Sequence, residues 1–195
     1  MSYADYKRAL LEDPPDIEGI LHRYFHAGQS ALFYGSDPNE EPSFKRIISD
    51  QIKVNIGIRC HPLQLVICGS AHLGFSPVPH KLGKTFNPDR SDVDIAVVSA
   101  ELFDRWWTEL QDCEKMSQPD RQAIAEDLFW GFINPFKVYE LTETGDKWWR
   151  LFGGLQTDRA CGVRGRVYRT YWNMQNYHKH AILGGHEILK GMRTT

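Results

Sequence analysis

The sequence predicts an α+β fold, and three observations carry that expectation. Apolar residues recur at helical spacing through the first part of the chain, and two continuous apolar runs of strand length, LQLVIC and VDIAVV, lie in its middle. The last part returns to helical spacing. A run that is apolar at every position is the kind buried on both faces of a sheet.

Taken in order, residues 2–12 suit a short helix that Pro14-Pro15 stops, because proline lacks the amide donor and clashes with the preceding turn. From Asp16 as N-cap, Ile17, Ile20, Leu21, Tyr24 and Phe25 predict an amphipathic helix continuing to Leu32 and ending near Gly35. The turn-rich SDPNEEP follows, and Ser43 then caps a helix with Phe44, Ile47, Ile48 and Ile52 on one face. His61-Pro62 breaks that helix, and LQLVIC forms the first strand, followed at once by Gly69-Ser70.

A long loop rich in Pro, Gly and Lys, from about Phe75 to Arg90, precedes the second strand, VDIAVV. Ser99 caps a helix carrying Leu102, Phe103, Trp106 and Leu110, and another runs from Pro119 through Ile124 and Leu128. PFKVYEL reads as a third strand, at a sheet edge because Pro135 opens it. The remainder reads as mainly helical, with Val163, Val167, Tyr171 and Met174 in register before Gly184-Gly185. Residues 1–58 are expected to form an N-terminal helical segment packed on a core of 59–195, within one compact domain.

Composition narrows the function classes. With 42% hydrophobic and 25% charged residues, the chain matches ordinary globular usage and not the signature of disorder. A formal net charge of -2 argues against indiscriminate coating of nucleic acid while leaving room for a local basic patch. The four cysteines, Cys60, Cys68, Cys113 and Cys161, form no C-x-x-C pair and are expected to be reduced. No cleavable leader pattern opens the chain and no run approaches the roughly 18 apolar residues of a membrane span, so a cytoplasmic location is expected.

The chemistry concentrates in CGSAHLG and RSDVDIAVVS. Alternate residues of a strand share a face, so Asp92 and Asp94 form one acidic cluster. Two carboxylates that close repel unless one is protonated or a cation lies between them, and oxygen ligands of this kind suit Mg²⁺, which also accepts phosphate oxygens. The alternative is a pair of strand-end carboxylates in a solvated turn. A glycine and a small hydroxyl residue at the end of the first strand, Gly69 and Ser70, let backbone amides approach a phosphate before a helix starting near Ala71. Metal on one side and amide donors on the other suit in-line phosphoryl or nucleotidyl transfer.

On Gly69, Ser70, Gly74, Ser91, Asp92 and Asp94, about a sixth of the chain, the sequence resembles the nucleotidyltransferase fold of the DNA polymerase beta superfamily. That family's pattern is a strand-end Gly-Ser, a helix and an acidic-x-acidic strand. The resemblance implies a short mixed sheet flanked by helices, here with N- and C-terminal helical extensions. It also implies two Mg²⁺ ions, a nucleoside triphosphate substrate, and transfer of the nucleoside monophosphate to a hydroxyl of a protein, a nucleic acid or a small molecule. By the same resemblance Gly69 and Ser70 contact the triphosphate, while Asp92 and Asp94 ligate metal. The family supplies a third carboxylate from a later strand, and the candidate here is Glu140 in KVYEL. The interval from Ser70 to Asp92 is longer than in minimal bacterial members, so the insertion around Lys81 and Lys84 shapes a lid or an acceptor site.

Other features carry less. Lys81, Lys84 and Arg90 either reach a phosphate or are merely solvated, and Lys84 is the nucleotide-binding candidate among them. Arg159, Arg164, Arg166 and Arg169, interleaved with Tyr168, Tyr171 and Trp172, read equally as a nucleic-acid surface or as a helix with a core stripe and a wet stripe. His178, His180 and His186 read as solvated or capping residues, and the Trp106-Trp107 and Trp148-Trp149 pairs as core and shoulder positions. The expected activity is thus Mg²⁺-dependent nucleotidyl transfer. The alternative is a catalytically degenerate domain that binds nucleotide or nucleic acid without turnover, within an oligomer or beside a partner protein.

Overall fold

The computed structural model describes residues 2–157 and 161–192. Its N-terminal part begins with α1 (Tyr3–Leu10), capped by the Ser2 hydroxyl accepting from the Asp5 amide. Asp16 caps α2 (Ile17–Leu21) through the Gly19 amide, as its sequence position suggests. The helical register does not continue to Leu32. It widens into a π turn over His22–His26 and stops, with Gly28 at φ +80°. Leu32 then reaches the core from a separate 3-10 turn, Ala31–Phe33.

Helix α3 (Glu40–Ile56) starts three residues before Ser43, which lies inside it. Glu40 and Glu41 occupy its first turn, where carboxylates complement the helix dipole. The Glu41 carboxylate also accepts from the Ser30 amide and hydroxyl at 3.0 and 2.9 Å, tying the preceding loop to the helix. Gly57, at φ +83°, ends α3 in the left-handed conformation that glycine adopts without strain.

The sheet comprises β1 (Leu65–Cys68), β2 (Val93–Val98), β3 (Phe132–Ile133) and β4 (Val163–Tyr168) in the spatial order β1-β2-β4-β3. It is mixed: β1 and β3 run antiparallel to their neighbours, whereas β2 and β4 are parallel. The fold is therefore α+β around a small mixed sheet. Alternation along β2 explains why its residues from Ile95 to Val98 are all apolar, because both faces are covered there. Val93, Ile95 and Val97 join the main core, while Ala96 and Val98 join a second cluster with Cys68, Phe132, Tyr168 and Met174.

Five helices connect and cover these strands. The short α4 (Gly69–Leu73) leaves β1 directly, and α5 (Ala100–Gln111) leaves β2 with the Ser99 hydroxyl accepting from the Leu102 amide. Next come α6 (Gln118–Phe129), α7 (Pro135–Val138) and α8 (Glu143–Gly154). On the back face Trp106 of α5 and Trp148 of α8 are both buried, their ring centroids 5.6 Å apart. A last long helix, α9 (Tyr171–Gly191), crosses the front, and its Ile182 and Leu189 pack with Tyr6, Leu10, Tyr24 and Phe25 of the N-terminal part.

Two expected elements are replaced. PFKVYEL is not a strand: Asn134 caps the Phe136 amide, Pro135 takes the first helical position it favours, and the segment folds as α7 followed by a 3-10 turn, Tyr139–Leu141. Conversely, 163–168 is a strand and not part of a helix. Val163, Gly165 and Val167 face inward at period two, and the helical register begins only at Tyr171, capped by the Thr170 hydroxyl. Gly184 and Gly185 lie inside α9 instead of ending it. A Cβ on Gly184 would come within 2.8 Å of the Pro79 ring, so the glycine permits the helix to lie against the long loop.

No disulfide joins any of the four cysteines among the described residues, and Cys60, Cys68 and Cys161 are buried. Among the described residues, no helix is long and apolar enough to cross a membrane.

Candidate functional site

The end of β1, the start of β2 and the start of β4 converge on a cleft of about 410 Å³ in front of the sheet. Register fixes the convergence: Asp94 is the Cα partner of Cys68 on one side and of Arg164 on the other. Gly69 lies directly against Asp94. At φ +62° it occupies a conformation open to glycine, and a Cβ there would stand 3.1 Å from the Asp94 Oδ2. Pro77–Pro79 of the long loop, Phe25, and His178 and His180 of α9 complete the walls.

The third element of the cleft is basic. Arg164 and Arg166 alternate along β4 with Val163, Gly165 and Val167, so they share the face of Asp92 and Asp94. Arg164 Nε lies 2.5 Å from the Asp92 Oδ2 in an ion pair whose two side chains are about half exposed. Gly162 supports the same carboxylate, since a Cβ there would come within 2.8 Å of the Asp92 Oδ1. The Arg166 guanidinium sits 4.7 Å from the centroid of the Tyr177 ring and 5.7 Å from that of Phe132, a cation–π clamp that fixes a full positive charge at the cleft wall.

These charges set the state of Asp94. Its carboxylate opens on the cleft, but protein surrounds it on the remaining sides, and this desolvation raises its pKa. Arg166 opposes the rise, repulsion from Asp92 adds to it, and Arg164 and Lys81 oppose it in turn. Cys68 beside it is no nucleophile: burial pushes its thiol up to about 12.

His178 of the cleft wall interacts with two further histidines, His26 and His72. His178 is buried against Phe25, ring centroids 5.0 Å apart, and burial lowers its pKa to about 3. His72 is lowered to about 4 and His26 is also lowered, in both cases first by burial. His26 Nε2, His72 Nε2 and His178 Nδ1 are buried without a hydrogen-bond partner. Of the expected solvated or capping roles, His178 takes neither, being buried, whereas His186 is buried with its Nδ1 2.6 Å from the carbonyl oxygen of Leu10, the last residue of α1, a capping contact. His180 alone of the three is exposed.

The sequence-derived candidates divide accordingly. Gly69 and Asp94 line the cleft, with Ser70 next in line in the first turn of α4, while Asp92, whose charge reaches Asp94, stands outside its lining on the far side of Arg164. Glu140 does not join them. It lies exposed on the 3-10 turn after α7, where its carboxylate accepts from the Tyr139 hydroxyl at 2.7 Å. Lys84 lines a separate basic groove with Lys7, His80 and Lys81, and of the loop lysines it is Lys81 whose charge reaches Asp94. Arg159 lies outside the described residues, and Arg169 pairs with Asp104 at 3.0 Å. Among the described residues, no group of three His, Cys, Asp or Glu side chains is arranged to hold a metal ion.

The arginines of β4 were the residues hardest to place from sequence. Their signal was the alternation V-R-G-R-V-Y, which helical spacing of Val163 and Val167 obscured. Compared with known proteins, the chain matches no family model, no curated protein and no solved structure.

Proposed function

We propose that the chain is a Mg²⁺–nucleoside triphosphate-binding domain of nucleotidyltransferase-like architecture that has departed from two-metal nucleotidyl transfer. The observation that carries this reading is the identity of the strand beside β2. Where the resemblance calls for a third carboxylate, β4 offers Arg164 and Arg166. Support for the nucleotide comes from β1 ending in Gly69-Ser70, the Asp92-x-Asp94 strand next to it, and Gly69 packed against Asp94.

The donor set suits one ion better than two. Asp92 and Asp94 would hold a single Mg²⁺, completed by phosphate oxygens and water as this ion prefers. When bound, the ion neutralises phosphate charge. For Asp92 to serve, Arg164 must leave it, and the freed guanidinium is then positioned to donate to a phosphate in a bidentate manner. Arg166, held between aromatic rings, supplies a second fixed positive charge. This arrangement binds and orients a polyphosphate but leaves the attacking hydroxyl without a carboxylate base.

Isothermal titration of each nucleoside triphosphate in Mg²⁺ should show binding that Asp94→Asn and Arg166→Ala each weaken about tenfold or more, as expected when a charge-assisted contact is lost. Incubation with α-labelled triphosphates and a cell lysate should leave no macromolecule labelled. Label that depends on Asp92 and Asp94 would overturn the proposal in favour of a nucleotidyltransferase, and absence of any nucleotide binding would overturn both readings.

A further inference from the structure

Asp92 and Arg164 border a second space, away from the cleft. There, a cavity of about 230 Å³ opens between α8, the start of α7 and the β4 end of the chain reversal at Gln156 and Gly162. Trp148 and Phe152 form its buried base, while Trp149 and Phe136, 39% and 45% exposed, stand at its mouth. The two mouth rings meet edge to face, centroids 5.2 Å apart at 86°. Trp149 is held flat by Tyr139, stacked on it at 4.3 Å and 18°, and Phe136 is held by the Arg164 guanidinium 4.6 Å from its centroid.

Both rings are thus exposed in part and held in place by their neighbours. They present aromatic surface at little further cost in side-chain entropy, which favours stacking on a planar ligand. Gln156 adds an amide with both donor and acceptor atoms among the lining residues. The cavity also adjoins the cleft: Pro135, Phe136, Arg164 and Gly165 line both. A ligand with phosphates at Asp94 and Arg166 therefore has an aromatic-walled recess next to it, across Arg164.

We propose that this cavity seats the nucleobase of the triphosphate, with Trp149 as its stacking platform and Arg164 as the divider between base and phosphates. The inference rests on the phosphate-binding reading of the cleft and adds where the base goes. It makes Trp149 a specificity residue in a cavity that Asp92 also lines, with Asp94 and Arg166 beyond it in the cleft.

The test compares ligands with and without a base. The four ribonucleoside triphosphates and inorganic tripolyphosphate are titrated, in Mg²⁺, into the wild type, Trp149→Leu and Trp149→Phe, each checked for folding by circular dichroism. At least one nucleoside triphosphate should bind the wild type more tightly than tripolyphosphate. Trp149→Leu should weaken that nucleotide about tenfold, the loss of one base–aromatic stack, and leave tripolyphosphate unchanged, while Trp149→Phe should restore most of the difference. Equal affinity of the wild type for nucleotide and tripolyphosphate, or a nucleotide affinity indifferent to Trp149→Leu, would overturn the base site while leaving the phosphate site intact. If neither ligand binds the wild type, the cleft reading itself fails and the base site falls with it.

Discussion

The two faces of the sheet are built by the same strands to opposite rules. On the back, Val93, Ile95, Val97, Val163 and Val167 meet Trp106, Trp148, Leu102 and Ile52 in one continuous apolar core. On the front, the alternate positions of β2 and β4 begin with Asp92, Asp94, Arg164 and Arg166 and turn apolar only farther along, at Ala96, Val98 and Tyr168. Burial stabilises the first arrangement. The second brings like and unlike charges together at the edge of a cleft, where mutual pairing offsets desolvation only in part. Stability should therefore reside on the back face and ligand binding on the front, and substitutions on each should separate the two properties.

The largest effect on stability is expected from Trp148→Ala. The side chain is 1% exposed, stacks on Phe152 at 4.5 Å, and its indole N–H donates to the Gly165 carbonyl at 3.2 Å. Truncation removes the transfer energy of a buried tryptophan, opens a cavity and orphans an acceptor, for about 3–5 kcal/mol. Urea unfolding measures it. Arg164→Ala, on the front face of β4, should cost less than about 1 kcal/mol, because its pair with Asp92 is half exposed. If the two substitutions proved equally costly, the division between the faces would be wrong.

Next in size is the acid response, which should come from the buried histidines, His178 in the wall of the front cleft and His72 behind it. The folded-state values of His178 and His72, about 3 and about 4, lie below the ordinary value of 6.5. Between these limits the unfolded chain binds more protons, so the stability conferred by the neutral rings is full above pH 6.5 and is lost as pH falls toward 4. Each proton contributes a slope of at most about 1.4 kcal/mol per pH unit. Urea unfolding from pH 7.5 to 4.5 should show this decline, and His178→Phe, which keeps an aromatic ring against Phe25, should make it shallower. A slope unchanged by His178→Phe would remove that histidine from the acid response.

The difference between the faces also explains what the sequence could reveal. β2 was legible because its apolar residues occupy both faces and its two aspartates interrupt them at period two. Ser99 and Asp16 announced their helices because capping is a local hydrogen bond between near neighbours. β4 was not legible, since Arg164, Gly165 and Arg166 are compatible with a polar helical stripe until Phe152 and Trp148 are seen to close on Gly165, where a Cβ would meet them at 2.5 Å. Glu140 failed as a candidate for a related reason. Its segment looked like a strand by composition, but Asn134 and Pro135 impose a helical start, and among the described residues no ladder partner pairs with it. Local chemistry was readable; which strand stands beside the aspartates depends on a contact some seventy residues away in sequence.

The smallest effect is also the sharpest in sign. The pKa of Asp94 is raised in the folded state, chiefly by desolvation, with Arg166 opposing. A raised carboxyl pKa means that the folded state binds more protons than the unfolded one just above the ordinary aspartate value. This contribution favours folding at acid pH and is lost as pH rises through the folded-state pKa. At neutral pH the charged group thus opposes folding, and Asp94→Asn, which keeps the shape beside Gly69 and removes the charge, should raise the melting temperature. The gain should be small because the carboxylate opens on solvent, and it should fade toward pH 4 as the wild-type group protonates. Addition of Mg²⁺ and the triphosphate should reverse the order, stabilising the wild type while leaving the variant nearly unmoved. Thermal unfolding at two pH values, with and without ligand, resolves all four cases. A variant less stable than the wild type at pH 7 without ligand would show that the arginines of β4 already over-compensate Asp94, and that the front face, like the back, is held together by its own contacts.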